Sequence, residues 1–227
     1  MAIMVVMTTW TDFERSIAAA RQLTAMYAEL RRARGLGARG RLNADNQDLL
    51  WMPRSAVVAA ISAMDAYIHS VLDERIPIAL AQPIIPEALA AAMADLLPIK
   101  NAASFRQAFP ILTASNTATA LSARLRDRSL QFLSYQAPDK IIAAYSLIGL
   151  EGIFDEVANF WPGPGTTAQE IKNRLANYVK RRNQIAHEGD YEVGGAVRQM
   201  QPKYANDCAD FIHNLTSRFD RAVYGER

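Results

Sequence analysis

The segment from Ala56 to Leu72 constrains the fold most, because it is apolar on almost every side when it is drawn as a helix. Its large apolar residues recur at helical spacing, as Val57, Ile61, Met64, Ile68 and Val71. A helix that is apolar all round lies in the centre of a protein or in a membrane. This segment is shorter than the roughly 20 residues of a bilayer span and carries Asp65 and His69. We therefore expect a central core helix over about 46–76.

Helical spacing extends over most of the chain, and no segment has the period-two alternation of a half-buried strand. A first helix is predicted to begin at a capping box of Thr11 and Glu14 and to end at Gly35. Further helical patterns cover 116–135, 140–160 with an interruption near Gly149 and Gly152, 167–187, and a last segment around 204–219.

Prolines interrupt one part of this pattern. Five of the ten prolines lie within 77–115, so this stretch is predicted to be an excursion of short helices and turns. Elsewhere the helices are long, and half of the residues are hydrophobic, which is ample for one core without disulfides. We predict an all-α fold, an antiparallel helical bundle in a single domain over 1–227.

The cysteine content and the first residues indicate the compartment. Cys208 is the only cysteine of the chain, so no internal disulfide, zinc ribbon or CxxC redox pair can form. The initial run MAIMVVM has no basic region before it and no cleavage pattern after it, which does not resemble a signal peptide. We therefore expect a cytoplasmic protein that has no membrane partner.

The net charge of +2 is too small to indicate nucleic-acid binding by itself, so any such function must depend on local clusters. The basic clusters are Arg31, Arg32, Arg34, Arg39 and Arg41 in one place and Lys180, Arg181 and Arg182 in another. A solvated helix end or loop is the simplest interpretation of each.

The predicted helix over 167–187 has a charge in its apolar stripe. It begins at a capping box of Thr167 and Glu170 and ends before Gly189, and its stripe is Ile171, Leu175, Tyr178 and Ile185. Arg182 occupies the remaining position of that stripe. A buried unpaired charge costs several kcal/mol, so Arg182 requires an acidic partner or faces a cleft or a second subunit. We predict that Asp65 is this partner.

Arg182, Asn183 and His187 are the candidate functional residues. Arg182 and His187 lie roughly 140° apart around one helix at about 100° per residue, so we expect them on different faces. Asn183 and His187 share a face. A site that uses Arg182 and His187 together is therefore predicted to lie at the helix end or to combine two copies of the chain. The simpler alternative is that His187 only interacts with the helix dipole.

The sequence RRNQIAHEGD at 181–190, together with SAMDAY at 62–67, resembles the HEPN superfamily of helical ribonucleases and nucleotide-binding domains, in particular its RiboL-PSP-HEPN-like members. The signature of this family is an arginine, four to six residues and a histidine, often with asparagine directly after the arginine. Arg182, Asn183 and His187 match it, late in a long helix. The resemblance is concentrated in 54–75 and 167–190.

The resemblance implies a homodimer in which two motifs meet in a cleft and cut RNA without metal. Arg182 would hold the scissile phosphate and stabilise its developing charge. His187 would act as a general base or acid on the 2′-hydroxyl or the leaving oxygen, and Asn183 would orient the phosphate or His187. Lys180 and Arg181 would contact the RNA backbone. Such nucleases commonly act as toxins or antiphage effectors, so an antitoxin or regulatory partner is a further expectation.

Two other functions stay open at this point. Some members of the superfamily serve only as non-catalytic nucleotide-binding, RNA-binding or protein-interaction modules, and a bundle without any ligand is the third possibility. The sequence contains no Gly-rich phosphate loop, HExxH, GxSxG or EF-hand pattern, and its three histidines are dispersed: His69, His187 and His213. No metal or cofactor is expected.

Overall fold

The structure is a computed structural model that describes residues 8–37, 40–97, 99–162, 165–195 and 197–226. The initial run at 1–7, on which the signal-peptide interpretation depends, and Arg39 lie outside these ranges. The described chain forms nine α-helices, two short 3-10 helices and an isolated bridge between Tyr191 and Val197, with no β-strand. The all-α prediction is therefore confirmed.

The helices follow one another in the order α1 Thr9–Ala33, α2 Trp51–Leu80, α3 Glu87–Leu96, α4 Ala102–Leu112, α5 Thr117–Arg128, α6 Pro138–Ser146, α7 Ile153–Asn159, α8 Ala168–His187 and α9 Pro202–Tyr224. The 3-10 helices are Ala44–Leu50 and Leu130–Phe132. The predicted interruption near Gly149 and Gly152 separates α6 from α7, and both glycines adopt positive φ angles.

Helix α2 is the centre of the bundle, as its apolar sequence predicts. It packs against α1, α5, α8 and α9, and Ile61, Met64 and Ile68 are fully buried. The segment Ala44–Leu80 is long and apolar enough to cross a membrane, but 56% of its most apolar window is buried inside the protein. A core helix of a soluble protein meets the same criterion, and the contacts of α2 are those of a core helix.

Several helix boundaries differ from the prediction. The segment Ala44–Leu50 forms a 3-10 helix, so α2 begins at Trp51 and not near residue 46, and α5 ends at Arg128 and not near residue 135. Helix α1 begins at Thr9, because Thr8 and not Thr11 is its N-cap and accepts a hydrogen bond from the Thr11 backbone N–H at 3.2 Å. Helix α2 continues past Pro77 to Leu80. Pro77 lies in the last turn, where the loss of one backbone donor interrupts little of the helix.

The proline-rich stretch forms short helices, as predicted. Helix α3 contacts α5 and α6 and buries Leu89 in the main core. Helix α4 packs mainly on α5 and leaves two aromatic side chains exposed, Phe105 and Phe109. The excursion is therefore attached to the bundle mainly through α5, and at α3 also through α6.

Helix α8 carries the candidate motif at its C-terminal end. The predicted capping box is present, because the Glu170 backbone N–H donates to Thr167 Oγ1 at 3.2 Å and the Thr167 backbone N–H donates to Glu170 Oε2 at 2.8 Å. The predicted stripe is buried: Ile171, Leu175, Tyr178 and Ile185. The helix ends at His187, and Gly189 adopts a left-handed φ of 65°.

Candidate functional site

Arg182, Asn183 and His187 form a contiguous cluster at the end of α8. One guanidinium nitrogen of Arg182, Nη1, donates to Asn183 Oδ1 at 3.1 Å and lies 3.2 Å from His187 Nε2. Of the two arrangements that we predicted, a site at the helix end or one combined from two copies, the helix end brings Arg182 to His187 within one chain. The angular estimate treated the side chains as short, whereas the long arginine stem reaches around the helix to its last residue.

The contact between Arg182 and His187 selects one form of the imidazole. A guanidinium can only donate hydrogen bonds, so His187 Nε2 must accept with its lone pair. The contact therefore fits a neutral imidazole that carries its proton on Nδ1. In this form Nε2 is the atom that can take a proton from a substrate once the guanidinium moves away.

The cluster is open to solvent on one side and buried on the other. Asn183 and His187 are exposed, whereas Arg182 is partly buried. The Nε atom of Arg182 is buried and has no hydrogen-bond partner among the described residues. An unsatisfied buried donor costs about 1–3 kcal/mol. The exposed part of the guanidinium is Nη1, the nitrogen that contacts Asn183 and His187.

Asp65 does not pair with Arg182, which contradicts the prediction. Its carboxylate accepts from the Tyr135 backbone N–H at 2.6 Å, from Gln136 Nε2 at 2.9 Å and from Ser134 Oγ at 3.4 Å. The segment before α6 folds back over α2 and supplies these donors, so the charge of Asp65 is already satisfied. Asp65 thus holds the chain that leads into α6.

Two side chains extend the Asp65 network. His69 Nε2 lies 3.2 Å from the Leu133 carbonyl oxygen and 4.0 Å from Asp65 Oδ1, and the His69 ring packs on Tyr135. Burial, followed by the nearby Asp65 charge, raises the pKa of Tyr135 to about 12. These residues belong to the anchor of the α6 segment, not to the cluster at the end of α8.

Arg181 has a structural role instead of the RNA contact that we predicted. Its guanidinium pairs with the carboxylate of Asp190, where Nη2 donates to Oδ2 at 2.9 Å, and it also donates to the Gln199 carbonyl at 3.1 Å. Only 13% of the Arg181 side chain is exposed, and Asp190 is fully buried. A guanidinium held in this way is not available to an RNA phosphate.

Lys180 lies on the exposed side of α8, beside a groove of about 440 Å³ between α8 and the beginning of α6. The groove is lined by Ala137, Pro138, Ala176, Val179, Lys180, Asn183, Gln184 and Glu188. Its floor is partly apolar, and Lys180 and Asn183 supply a positive charge and an amide. The chain anchored by Asp65 therefore shapes one wall of this groove, next to the cluster.

Sequence reasoning missed Arg54 and Asp190, which form a fully buried ion pair between α2 and the turn after α8. The sequence did indicate that Arg54 is buried, because Arg54 lies three residues before Val57 and extends the apolar stripe of α2. The same argument that singled out Arg182 applies to it. Asp190 had no such signal, since an acid after a helix end is usually solvated.

Neither a metal centre among the described residues nor a matching protein identifies this site. In the ranges that the structure describes, no three His, Cys, Asp or Glu side chains are grouped so that they could hold a metal ion. Comparisons with protein-family models, with curated proteins and with solved structures find no match. The fold and the site thus define an all-α helical protein with an Arg–Asn–His cluster at a helix end.

Proposed function

We propose that this protein is a metal-independent endoribonuclease of the HEPN type that cleaves RNA through attack of the 2′-hydroxyl. The observation that carries the proposal is the contact of the Arg182 guanidinium with both Asn183 and His187, on the exposed end of α8. A phosphate-binding cation and a proton-accepting imidazole within hydrogen-bond distance are the two groups that this reaction requires.

The reaction follows from the chemistry of these groups. A scissile phosphate binds the Arg182 guanidinium, which exchanges its contact with His187 for the phosphate oxygens. His187 Nε2, now free, takes the proton of the adjacent 2′-hydroxyl. The 2′-oxygen forms a bond to phosphorus, the bond to the 5′-oxygen breaks, and that oxygen takes a proton from the imidazolium or from water. The products are a 2′,3′-cyclic phosphate and a 5′-hydroxyl.

The groove beside the cluster is suited to the neighbouring nucleotides. Lys180 supplies a cation for a flanking phosphate, and the apolar wall formed by Pro138 and Val179 supplies a surface for a base. Single-stranded or loop RNA is the expected substrate, because its backbone can adopt the in-line geometry that a duplex restrains. The protein nucleophile and the metal-bound water of other nucleases are not needed, since the nucleophile is part of the substrate.

The proposal includes a homodimer, an antitoxin or other regulatory partner and a cytoplasmic role as a toxin or antiphage effector, all of which follow from the resemblance. Because one chain already brings Arg182 to His187, the dimer is not needed to assemble the cluster. Its role would be to form a cleft that encloses the RNA. No membrane partner is proposed.

The test is RNA cleavage in the presence of EDTA. Wild-type protein, His187→Ala and the matched control His213→Ala are incubated with total RNA. His213 is a partly buried histidine on α9 that bonds to Glu14. We expect cleavage by the wild type and by His213→Ala, and loss of most of the rate in His187→Ala.

Two outcomes would contradict the proposal. Equal cleavage by all three proteins would indicate another site or a contaminating nuclease. RNA binding without cleavage by the wild type would favour the second candidate, a non-catalytic HEPN-like module for nucleotide, RNA or protein binding. The partly apolar groove beside Lys180 is the feature that favours this second candidate.

A further inference from the structure

Asp190 has an unusual backbone and an unusual environment for an acidic residue. It follows His187 by three positions, adopts a left-handed φ of 63° and is completely buried. Its carboxylate accepts from Arg54 Nε on α2 and from both terminal nitrogens of Arg181 on α8. We call Asp190, Arg54 and Arg181 the buried clamp.

The buried clamp also binds backbone groups on either side of the turn. Arg54 Nη2 donates to the Arg198 carbonyl at 2.7 Å, and Arg181 Nη2 donates to the Gln199 carbonyl at 3.1 Å. The backbone of Asp190 donates to the Gln184 carbonyl at 3.0 Å and accepts from the Arg198 N–H at 2.8 Å. The end of α8, the start of α2 and the chain that returns to α9 are therefore joined through one carboxylate.

This arrangement fixes the chain on both sides of His187. The Gln184–Asp190 hydrogen bond spans the histidine, and Arg181 directly precedes Arg182. The last turn of a helix normally frays, which would let the imidazole and the guanidinium separate. A buried ionic group is at best neutral for stability compared with apolar packing, but its hydrogen bonds are directional.

We propose that the buried clamp positions His187 against Arg182 and that Asp190 is its central positioning residue. Only the expected effect of the buried clamp on RNA cleavage rests on the proposed function. The geometry of His187 can be measured on the protein without any substrate, so the two proposals can fail independently.

Asp190→Asn is the decisive variant. Asparagine has nearly the same shape, tolerates a left-handed backbone better than most residues and keeps one acceptor oxygen, but it removes the charge that both arginines share. We expect a folded protein whose kcat for RNA cleavage falls at least tenfold while KM changes little, because the phosphate-binding and groove residues are retained. A loss of binding alone would raise KM instead.

The matched control is Asp48→Asn. Asp48 also forms a two-point ion pair with an arginine, Arg34, with both nitrogen–oxygen distances below 3 Å, but the pair is exposed and joins α1 to the first 3-10 helix. The same substitution there removes an arginine–carboxylate pair without touching α8. We expect it to leave kcat and the environment of His187 unchanged.

The second readout is nitrogen NMR of the imidazole rings, which is simple because the chain has only three histidines. In the wild type, the His187 Nε2 signal reports its hydrogen bond from Arg182. We expect Asp190→Asn to shift or broaden the His187 signals while those of His69 and His213 stay in place. His187→Gln identifies the signals.

Unchanged His187 signals in folded Asp190→Asn would overturn the inference, whether or not kcat falls. If the wild type cleaves no RNA, the proposed function fails, and the NMR measurement alone decides the inference. If Asp190→Asn does not fold, Arg54→Lys is held to the same criterion. Lysine keeps the charge beside Asp190 but lacks the second nitrogen with which Arg54 reaches the Arg198 carbonyl. Unchanged His187 signals in this variant would likewise overturn the inference.

Discussion

Lys180 and Arg181 are adjacent basic residues with different physical roles. The Lys180 side chain is exposed beside the groove, whereas the guanidinium of Arg181 is committed to buried Asp190. The helix rotates by about 100° between them, which is enough to turn one side chain to solvent and the other to the core. A cluster of like charges in a sequence therefore does not define a binding surface by itself.

This difference predicts opposite phenotypes for two neighbouring alanine substitutions. Arg181→Ala should lower the free energy of unfolding by about 1–3 kcal/mol, because it leaves part of the buried Asp190 carboxylate without a donor. Lys180→Ala should leave stability within about 0.5 kcal/mol of the wild type, as exposed substitutions usually do, and should weaken RNA binding. Urea denaturation and RNA titration of both variants measure these effects. Similar stabilities for the two variants would contradict the assignment.

At the scale of the element, helix α8 was predictable from local signals and its surroundings were not. The capping box of Thr167 and Glu170 and the left-handed Gly189 are short-range features that define both ends of a helix. The start of α1 was placed three residues late, because Thr8 and Thr11 are both suitable caps and sequence alone does not rank them.

The partners of the buried charges could not be predicted from the sequence, because they come from distant parts of the chain. Asp65 and Arg182 were paired because each interrupts an apolar stripe, but the donors to Asp65 come from 134–136, far along the chain. Which loop returns over a helix is a property of the tertiary fold. The motif itself was recognisable, since Arg182, Asn183 and His187 are close in sequence and their contacts lie within one helix end.

The α8 capping box predicts a specific pH dependence of stability. Hydrogen bonds from the Thr167 backbone and then its hydroxyl lower the pKa of Glu170 below its ordinary value. Because the pKa of Glu170 is lower in the folded protein than in the unfolded chain, where it is about 4.3, the ionised carboxylate stabilises the fold at a pH above about 4.3. This stabilisation is lost as the pH falls through the pKa of the folded protein. Glu170→Gln should therefore have a lower Tm than the wild type at pH 7, and the difference should shrink as the pH falls through the lowered pKa of Glu170.

Thermal melting of both proteins at several pH values measures this effect. Glu29→Gln, which removes an exposed carboxylate from the surface of α1, is the matched control. A difference between wild type and Glu170→Gln that persists unchanged to pH 3 would mean that the charge of Glu170 is not the source of the stabilisation.

At the scale of the whole molecule, α2 organises the bundle and the short helix α4 lies on its outside. The central helix contacts α8 along the bundle and binds the turn after α8 through Arg54. The proposed site is therefore attached to the central helix of the bundle. Helix α4, by contrast, is tied to the rest mainly through α5 and leaves aromatic side chains exposed.

The contact between Arg182 and His187 within one chain predicts the result of a mixing experiment. Arg182→Ala and His187→Ala are each expected to be nearly inactive. When they are unfolded together and refolded as a mixture, every chain lacks one of the two residues. A site assembled within one chain predicts that no activity returns. If Arg182 of one protomer works with the partner's His187, about a quarter of the wild-type activity should return, because half of the refolded dimers contain both variants and one of their two sites is complete. Light scattering establishes whether the protein is a dimer.

The proposed 2′-hydroxyl nucleophile is tested most directly by removing it from the substrate. An RNA oligonucleotide with one mapped cleavage site is compared, in EDTA, with the same oligonucleotide that carries a single 2′-deoxynucleotide on the 5′ side of the scissile phosphate. We predict that the unmodified RNA is cut to a 2′,3′-cyclic phosphate and that the substituted site is not cut at all, because the nucleophile is absent. Cleavage of the substituted site at a comparable rate would mean that water attacks the phosphorus, and would contradict the role assigned to His187.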